Sequence, residues 1–223
     1  MLDSAYIFDL DGTLLDSTGI WLDIDVAFLN KRGIHVPADY ADKIAHLSFP
    51  ETADYTIERF DLRESAAAIM QEWMDMAVDA YSHTVQLKPF AKEYLLALKE
   101  SGAKLAVATS ATPVLYVPAL RRHGILDLFH AICDAETVGY GKARPDIFLQ
   151  TAQMLKVSPQ DCVVFEDLLV AVKTAKSVDM KVCGVLDEAS KADWPQIKKV
   201  ADGTIKNFYD APLARGMGVG VHA

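Results

Sequence analysis

Short apolar runs alternate with segments of helical periodicity from residue 85 onward, a pattern that a parallel sheet with crossover helices satisfies and few other folds do. The runs Lys104–Thr109, Ala131–Asp134, Cys162–Phe165 and Lys181–Val185 read as strands, and Ala5–Leu10 supplies a fifth from the start of the chain. Helices are expected near 89–101, 113–123, 145–156 and 168–178. Gly102 and Gly124 stand where two of them should stop, and Pro145 suits the first turn of the third.

Residues 17–84 follow a different rule. They hold no convincing strand and read as helices near 18–33, 39–47, 50–60 and 65–82, the last with Ala66, Ile69, Met70, Trp73, Met74, Ala77 and Ala80 at helical spacing. That stripe is the core of a helical bundle. The expected fold class is therefore α/β, a Rossmann-like parallel sheet core formed by residues 1–16 and 85–223, with an all-helical cap domain, 17–84, inserted after the first strand. The glycine-rich tail Gly216-Met217-Gly218-Val219-Gly220 reads as a frayed end.

In open parallel sheets, ligands bind beyond the carboxyl ends of the strands. The polar residues at those ends form a set. In Tyr6-Ile7-Phe8-Asp9-Leu10-Asp11-Gly12-Thr13-Leu14, two aspartates emerge where a buried strand turns at Gly12. Thr109 and Ser110 end a second strand, Glu166-Asp167 a third, and the loop Gly141-Lys142-Ala143-Arg144-Pro145-Asp146 lies between them. Burying neighbouring acids is costly unless a cation neutralises them or one keeps a proton. Both conditions suit metal-assisted phosphoryl transfer, with one aspartate as nucleophile and the other as general acid and base. The plainer alternatives are a solvated turn for the aspartates, a helix cap for Glu166-Asp167 and a surface lysine for Lys142.

Taken in order, these segments resemble the four motifs of the haloacid dehalogenase-like (HAD) hydrolase superfamily, and the resemblance covers essentially the whole chain. It implies that Asp9 attacks phosphorus to form an aspartyl-phosphate and that Asp11 protonates the leaving alcohol and later deprotonates the attacking water. It further implies a Mg2+ ion held by Asp9, the Asp11 carbonyl and Asp167, with Glu166 direct or through water. Thr109, Ser110 and Lys142 become the phosphate-binding residues, and the helical insert becomes a cap that closes over the substrate. Two departures stand out. Leu168-Leu169-Val170-Ala171 replaces the Ser-Pro-x-Gly common after the acidic pair, and Asp179 stands where glycine is frequent.

The resemblance leaves several reactions open, and particular residues choose between them. Dehalogenases of the superfamily lack the second aspartate, which Asp11 supplies. Phosphonate-cleaving relatives use a cap lysine as a Schiff base, whereas Lys31 and Lys43 lie in polar settings. Beta-phosphoglucomutase-like mutases carry a histidine where this chain has Trp21, and they grip a second phosphate with cap cations, of which Glu64–Leu87 has none. The expected activity is that of a magnesium-dependent phosphatase acting on a small phosphorylated metabolite. A phosphosugar mutase is the alternative, and a non-catalytic phosphate-binding protein the alternative of another class. Trp21, His46 and Arg144 are the foremost candidates for contact with substrate, and Arg59, Arg63 and His83 are further polar candidates in the cap.

A net charge of -9 argues against nucleic acid as a partner, and no apolar run is long enough to span a membrane. The start of the chain enters a strand with no basic leader, so a soluble, cytoplasmic protein is expected. Cys133, Cys162 and Cys183 lack metal-like spacing and read as small buried hydrophobes. No feature of the sequence fixes an oligomeric state.

Overall fold

The computed structural model describes residues 5–44 and 47–211. The chain divides into two compact units, one formed by the residues up to Thr18 and from Val85 on, the other by Gly19–Thr84.

The first unit is built on a six-stranded sheet whose pairings are all parallel. Its strands are β1 (Ala5–Phe8), β4 (Lys104–Thr109), β5 (Ala131–Asp134), β6 (Cys162–Glu166), β7 (Lys181–Val185) and β8 (Gly203–Ile205), in the order β5-β4-β1-β6-β7-β8. A two-stranded antiparallel ribbon pairs β2 (Leu15–Asp16) with β3 (Gln86–Leu87). Helices α5 (Ala91–Glu100), α6 (Pro113–Arg122), α7 (Ala135–Val138), α8 (Asp146–Leu155), α9 (Leu169–Lys176) and α10 (Trp194–Val200) complete it.

Alternation along β1 decides what each face of the sheet meets. Ala5 and Ile7 join Ala106, Ala108, Cys133, Val164 and Val182 against Phe148 of α8, Val172 of α9 and Ile197 of α10. Tyr6 and Phe8 point the other way, into an aromatic layer with Phe165, Tyr94 of α5 and Phe208. The Phe8 and Phe165 rings stack with centroids 4.9 Å apart. Buried on both faces, the sheet holds its strand ends in fixed register.

Some boundaries differ from expectation for local reasons. β1 stops at Phe8, because the Leu10 carbonyl accepts from the Thr13 and Leu15 amides and the chain turns out of the sheet. β2, β3 and β8 span only two or three residues each, too short for periodicity to show. Gly102 and Gly124 do follow helices with positive φ, and Asp179 takes the same left-handed conformation at φ 62°. The three cysteines are free and buried. Among the described residues no helix is long and apolar enough to cross a membrane.

The second unit is helical: α1 (Ile20–Lys31), α2 (Tyr40–Ile44), α3 (Phe49–Phe60) and α4 (Ala66–His83). Its core gathers Ile24, Phe28 and Leu29 of α1, Tyr40, Ala53, and the α4 stripe Ile69, Trp73, Ala77 and Tyr81. Met70 and Met74 are only half-buried, so the stripe runs along the four-residue ridge of α4. The Phe28 and Trp73 rings meet edge to face at 5.3 Å. Ser48 and Glu51 form a capping box that starts α3 at Phe49.

Candidate active site

Register brings the motif residues together. Phe8 pairs with Val107 on one side and Phe165 on the other. One residue further, Asp9 stands level with Glu166, and its amide donates to the Phe165 carbonyl at 3.0 Å. Thr109 and Asp167 follow at the ends of β4 and β6. This is the carboxyl edge of the sheet at the point where strand order reverses around β1.

The side chains at this edge are buried and in contact. Lys142 is ion-paired with both Asp9 and Glu166, the latter at 2.7 Å. The other Glu166 oxygen accepts from the Asp167 and Leu168 amides, each at 3.0 Å. Asp167 accepts from the Thr13 hydroxyl at 3.2 Å, and Asp11 from the Ser17 hydroxyl at 2.5 Å. Gly12 is required here on two counts. Its φ is +81°, and a Cβ would lie 2.7 Å from an Asp167 carboxylate oxygen. The Thr109 hydroxyl accepts from the Ala111 amide at 3.0 Å, which leaves its own proton available to donate.

Charge at the site is unbalanced. Burial pushes the Asp9 carboxyl well above its usual range, Glu166 pushes it further, and Lys142 opposes both. Asp167 is raised to about 7, by burial first and then by Glu166 and Asp187. Despite losing solvent, Lys142 is held above its ordinary value by Asp9 and Glu166. Three buried acids thus face one buried cation, an excess of negative charge that a divalent ion offsets. Carboxylate oxygens of Asp9, Glu166 and Asp167 lie within 4.8 Å of one another. An all-oxygen, carboxylate donor set of this kind fits Mg2+.

The remaining expected residues are placed differently. Ser110 is exposed. Arg144 is turned to Asp146 at 3.0 Å and lies over the Tyr140 ring at 3.7 Å, in contact with none of the acids above. Trp21 is partly exposed and packs edge-on against Phe49. His46 and the glycine-rich tail lie outside the described residues.

Sequence reasoning passed over the polar residues that hold the acids in place. Thr13 and Ser17 are two of them. It also passed over Asp187, almost fully buried, which is paired with Lys88 at 2.5 Å, accepts from the Thr18 hydroxyl at 2.9 Å and helps to raise the Asp167 carboxyl. Lys88 also reaches Asp16 at 3.3 Å. Asp187 was legible by the rule that exposed Asp9 and Asp167, since it follows the carboxyl end of β7. Ser17 and Thr18 make these contacts within the first unit, whose N-terminal segment ends at Thr18.

Comparison with known proteins adds to this geometry. Residues 6–185 match the haloacid dehalogenase-like hydrolase family. The bifunctional riboflavin kinase/FMN phosphatase of Arabidopsis thaliana is 30% identical over 215 residues, which are 96% of this chain and 56% of that longer protein. Beta-phosphoglucomutase of Bacillus subtilis is 32% identical over 81% of this chain and 82% of its own length. A Thermotoga maritima structure assigned as a beta-phosphoglucomutase superposes with a TM-score of 0.81 at 25% identity, covering 91% of this chain and 94% of that one.

Proposed function

Since the chain belongs to the haloacid dehalogenase-like hydrolases, we propose that it is a magnesium-dependent phosphatase that hydrolyses a small phosphorylated metabolite through an aspartyl-phosphate on Asp9. The observation that carries this reading is the cluster of Asp9, Glu166 and Asp167 around Lys142, where buried negative charge exceeds positive.

In the proposed reaction a carboxylate oxygen of Asp9 attacks phosphorus, and the bond from phosphorus to the alcohol oxygen breaks. Asp11, as the carboxylic acid, gives its proton to the departing alkoxide. Water then attacks the aspartyl-phosphate, Asp11 takes up its proton, and inorganic phosphate leaves with Asp9 restored. Ser17, donating to one oxygen of Asp11, orients that carboxyl for both transfers. Lys142 stabilises charge building on the phosphoryl oxygens, and Thr109 donates its free proton to one of them. Asp9, Asp167, the Asp11 carbonyl and Glu166 would hold Mg2+, which supplies Lewis-acid stabilisation of the transferring phosphoryl group.

The decisive experiment measures phosphate release from acetyl phosphate and a panel of phosphorylated metabolites, with and without magnesium. Turnover that needs magnesium and vanishes in Asp9→Asn supports the reading. Tight phosphate binding with no turnover of any substrate would assign a binding protein instead.

Kinship to the Bacillus subtilis mutase favours a second reading, phosphosugar isomerisation by transfer to a second hydroxyl. Cap chemistry opposes it. Three cap cations are committed to acids: Arg32 to Glu64 and Glu72, Lys31 to Glu72, and Arg59 to Asp39. Conversion of beta-glucose 1-phosphate to glucose 6-phosphate with a bisphosphate primer would replace the phosphatase assignment by this one.

A further inference from the structure

Asp187 lies just past the carboxyl end of β7 and is 2% exposed, yet it belongs neither to the cluster of Asp9, Glu166 and Asp167 nor to the ion pairs of Lys142. Its own backbone is well anchored. The Leu186 amide donates to the Ile205 carbonyl of β8 at 3.0 Å, and the Ala189 amide donates to one Asp187 carboxylate oxygen at 2.9 Å. That same oxygen accepts from the Thr18 hydroxyl at 2.9 Å, and the other is paired with Lys88 at 2.5 Å. Lys88 neutralises the carboxylate within the chain, so Asp187 is not an acid waiting for a metal ion.

What these contacts hold is the segment that carries Ser17. Ser17 is itself buried, and its hydroxyl donates to Asp11 at 2.5 Å. The residue before it, Asp16, is paired with Gln86 across the β2–β3 ribbon, and its carboxylate lies 3.3 Å from the Lys88 ammonium. The residue after it, Thr18, is bound to Asp187. The Lys88 amide donates to the Leu14 carbonyl at 2.8 Å, so backbone and side chain of Lys88 both grip the stretch from Leu14 to Asp16. Ser17 is therefore braced on both sides. Asp187 anchors both braces, directly for Thr18 and through Lys88 for Asp16, and every one of these residues belongs to the first unit.

Stability alone is a poor account of this arrangement. The Asp16 carboxylate is mostly in solvent, where an ion pair contributes little, and the pair of Lys88 with Asp187 loses water that apolar side chains would not need to lose. What a hydrogen-bonded ion pair supplies and apolar packing does not is direction. Direction matters at Asp11, because a proton donor misplaced by about 1 Å can lose on the order of a hundredfold in rate.

We propose that Asp187 is a positioning residue for proton transfer: acting through Thr18 and Lys88 it fixes Ser17, and Ser17 fixes the Asp11 carboxyl that protonates the leaving alcohol. This rests on the phosphatase reading, in which Asp11 is the general acid. Asp187 acts at one remove and donates no proton itself, its charge being taken up by Lys88.

Varying the leaving group separates orientation from stability. 4-Nitrophenolate departs without taking a proton, whereas phenolate is a poor leaving group that gains from protonation, and the two aryl phosphates are nearly the same size. With magnesium present, kcat/KM is measured on both for the full-length protein and for Thr18→Val, Thr18→Ser and Asp187→Ala, since kcat/KM includes departure of the leaving group and not the later attack of water. Thr18→Val should lower kcat/KM for phenyl phosphate roughly tenfold more than for 4-nitrophenyl phosphate, as loss of one orienting hydrogen bond implies. Asp187→Ala should do so at least as strongly, and Thr18→Ser, which keeps the hydroxyl, should restore the original ratio. If Asp187→Ala fails to fold, the isosteric Thr18→Val decides alone. Equal losses on both substrates, or none, would overturn the proposal and leave Asp187 an anchor of the fold. A wild-type protein that releases no phosphate from these substrates or from acetyl phosphate would instead strike the phosphatase reading, and this proposal with it.

Discussion

The sheet-built unit and the helical unit both bury polar side chains, but they satisfy them differently. At the carboxyl edge of the sheet every buried acid has a partner inside the chain: Lys142 for Asp9 and Glu166, Thr13 for Asp167, and Lys88 and Thr18 for Asp187. In the helical unit, the buried Trp73 N–H has none among the described residues. A prepaired cluster stays in place before any substrate arrives, as chemistry requires of its reacting groups. The contrast separates a region whose buried acids are prepaired from one in which a buried N–H has no acceptor among the described residues.

The sharpest break in this contrast comes from the nucleophile. Asp9→Asn should lower kcat for acetyl phosphate by roughly a thousandfold or more, since no neighbouring acid can take its place in line with the phosphoryl group. Undiminished turnover in this variant would take the reaction away from the prepaired cluster.

Next in size is the ion pair itself. Lys142→Met removes the one buried cation between Asp9 and Glu166 and leaves their charges uncompensated, an expected loss of about 3–5 kcal/mol in urea unfolding at neutral pH. The sign of its pH dependence follows from Asp9, whose folded-state carboxyl is already pushed upward by burial and by Glu166. Without Lys142 it rises further, so the deficit should shrink as pH falls and Asp9 takes a proton. A deficit independent of pH would argue that lost packing, not lost charge, dominates.

How much of this was legible in sequence tracks the same division. Asp9, Asp11, Glu166 and Asp167 sit in contiguous runs at strand ends, and a strand read from its apolar residues fixes where its last side chains emerge. Lys142 lies in a loop and was found through family resemblance. Thr13 and Ser17 carry no local signal, because their roles depend on which carboxylate the fold brings near, whereas Asp187 follows a strand end and was open to the same rule as Asp9. In the helical unit the elements were readable and their rotation was not. Trp73 was correctly placed in a helix core by its spacing, yet spacing says nothing of whether an indole N–H finds an acceptor.

A smaller effect probes how tightly the core site is built. Gly12→Ala forces a left-handed φ on alanine and sets its methyl against the Asp167 carboxylate. The expected cost is about 1–3 kcal/mol of stability, with a roughly tenfold loss of magnesium affinity by isothermal titration as Asp167 is displaced. Full magnesium affinity in this variant would remove Asp167 from the metal site and leave it a structural partner of Thr13.

The smallest expected change is a gain. In the folded protein Asp25 holds its proton up to about pH 6, against an ordinary value of 3.8. A carboxyl raised in this way adds stability, relative to a fixed neutral group, at no pH. Its burial is tolerated at low pH, where it is neutral in both states, and penalised increasingly as pH rises through the window between 3.8 and about 6. Asp25→Asn lacks this titration, so it should stabilise the chain at pH 7 by about 1 kcal/mol, the full shift being reduced by partial exposure of the side chain to solvent. The gain should vanish near pH 4 in parallel thermal melts. An Asn variant that is less stable at pH 7 would show that the Asp25 carboxylate serves the fold.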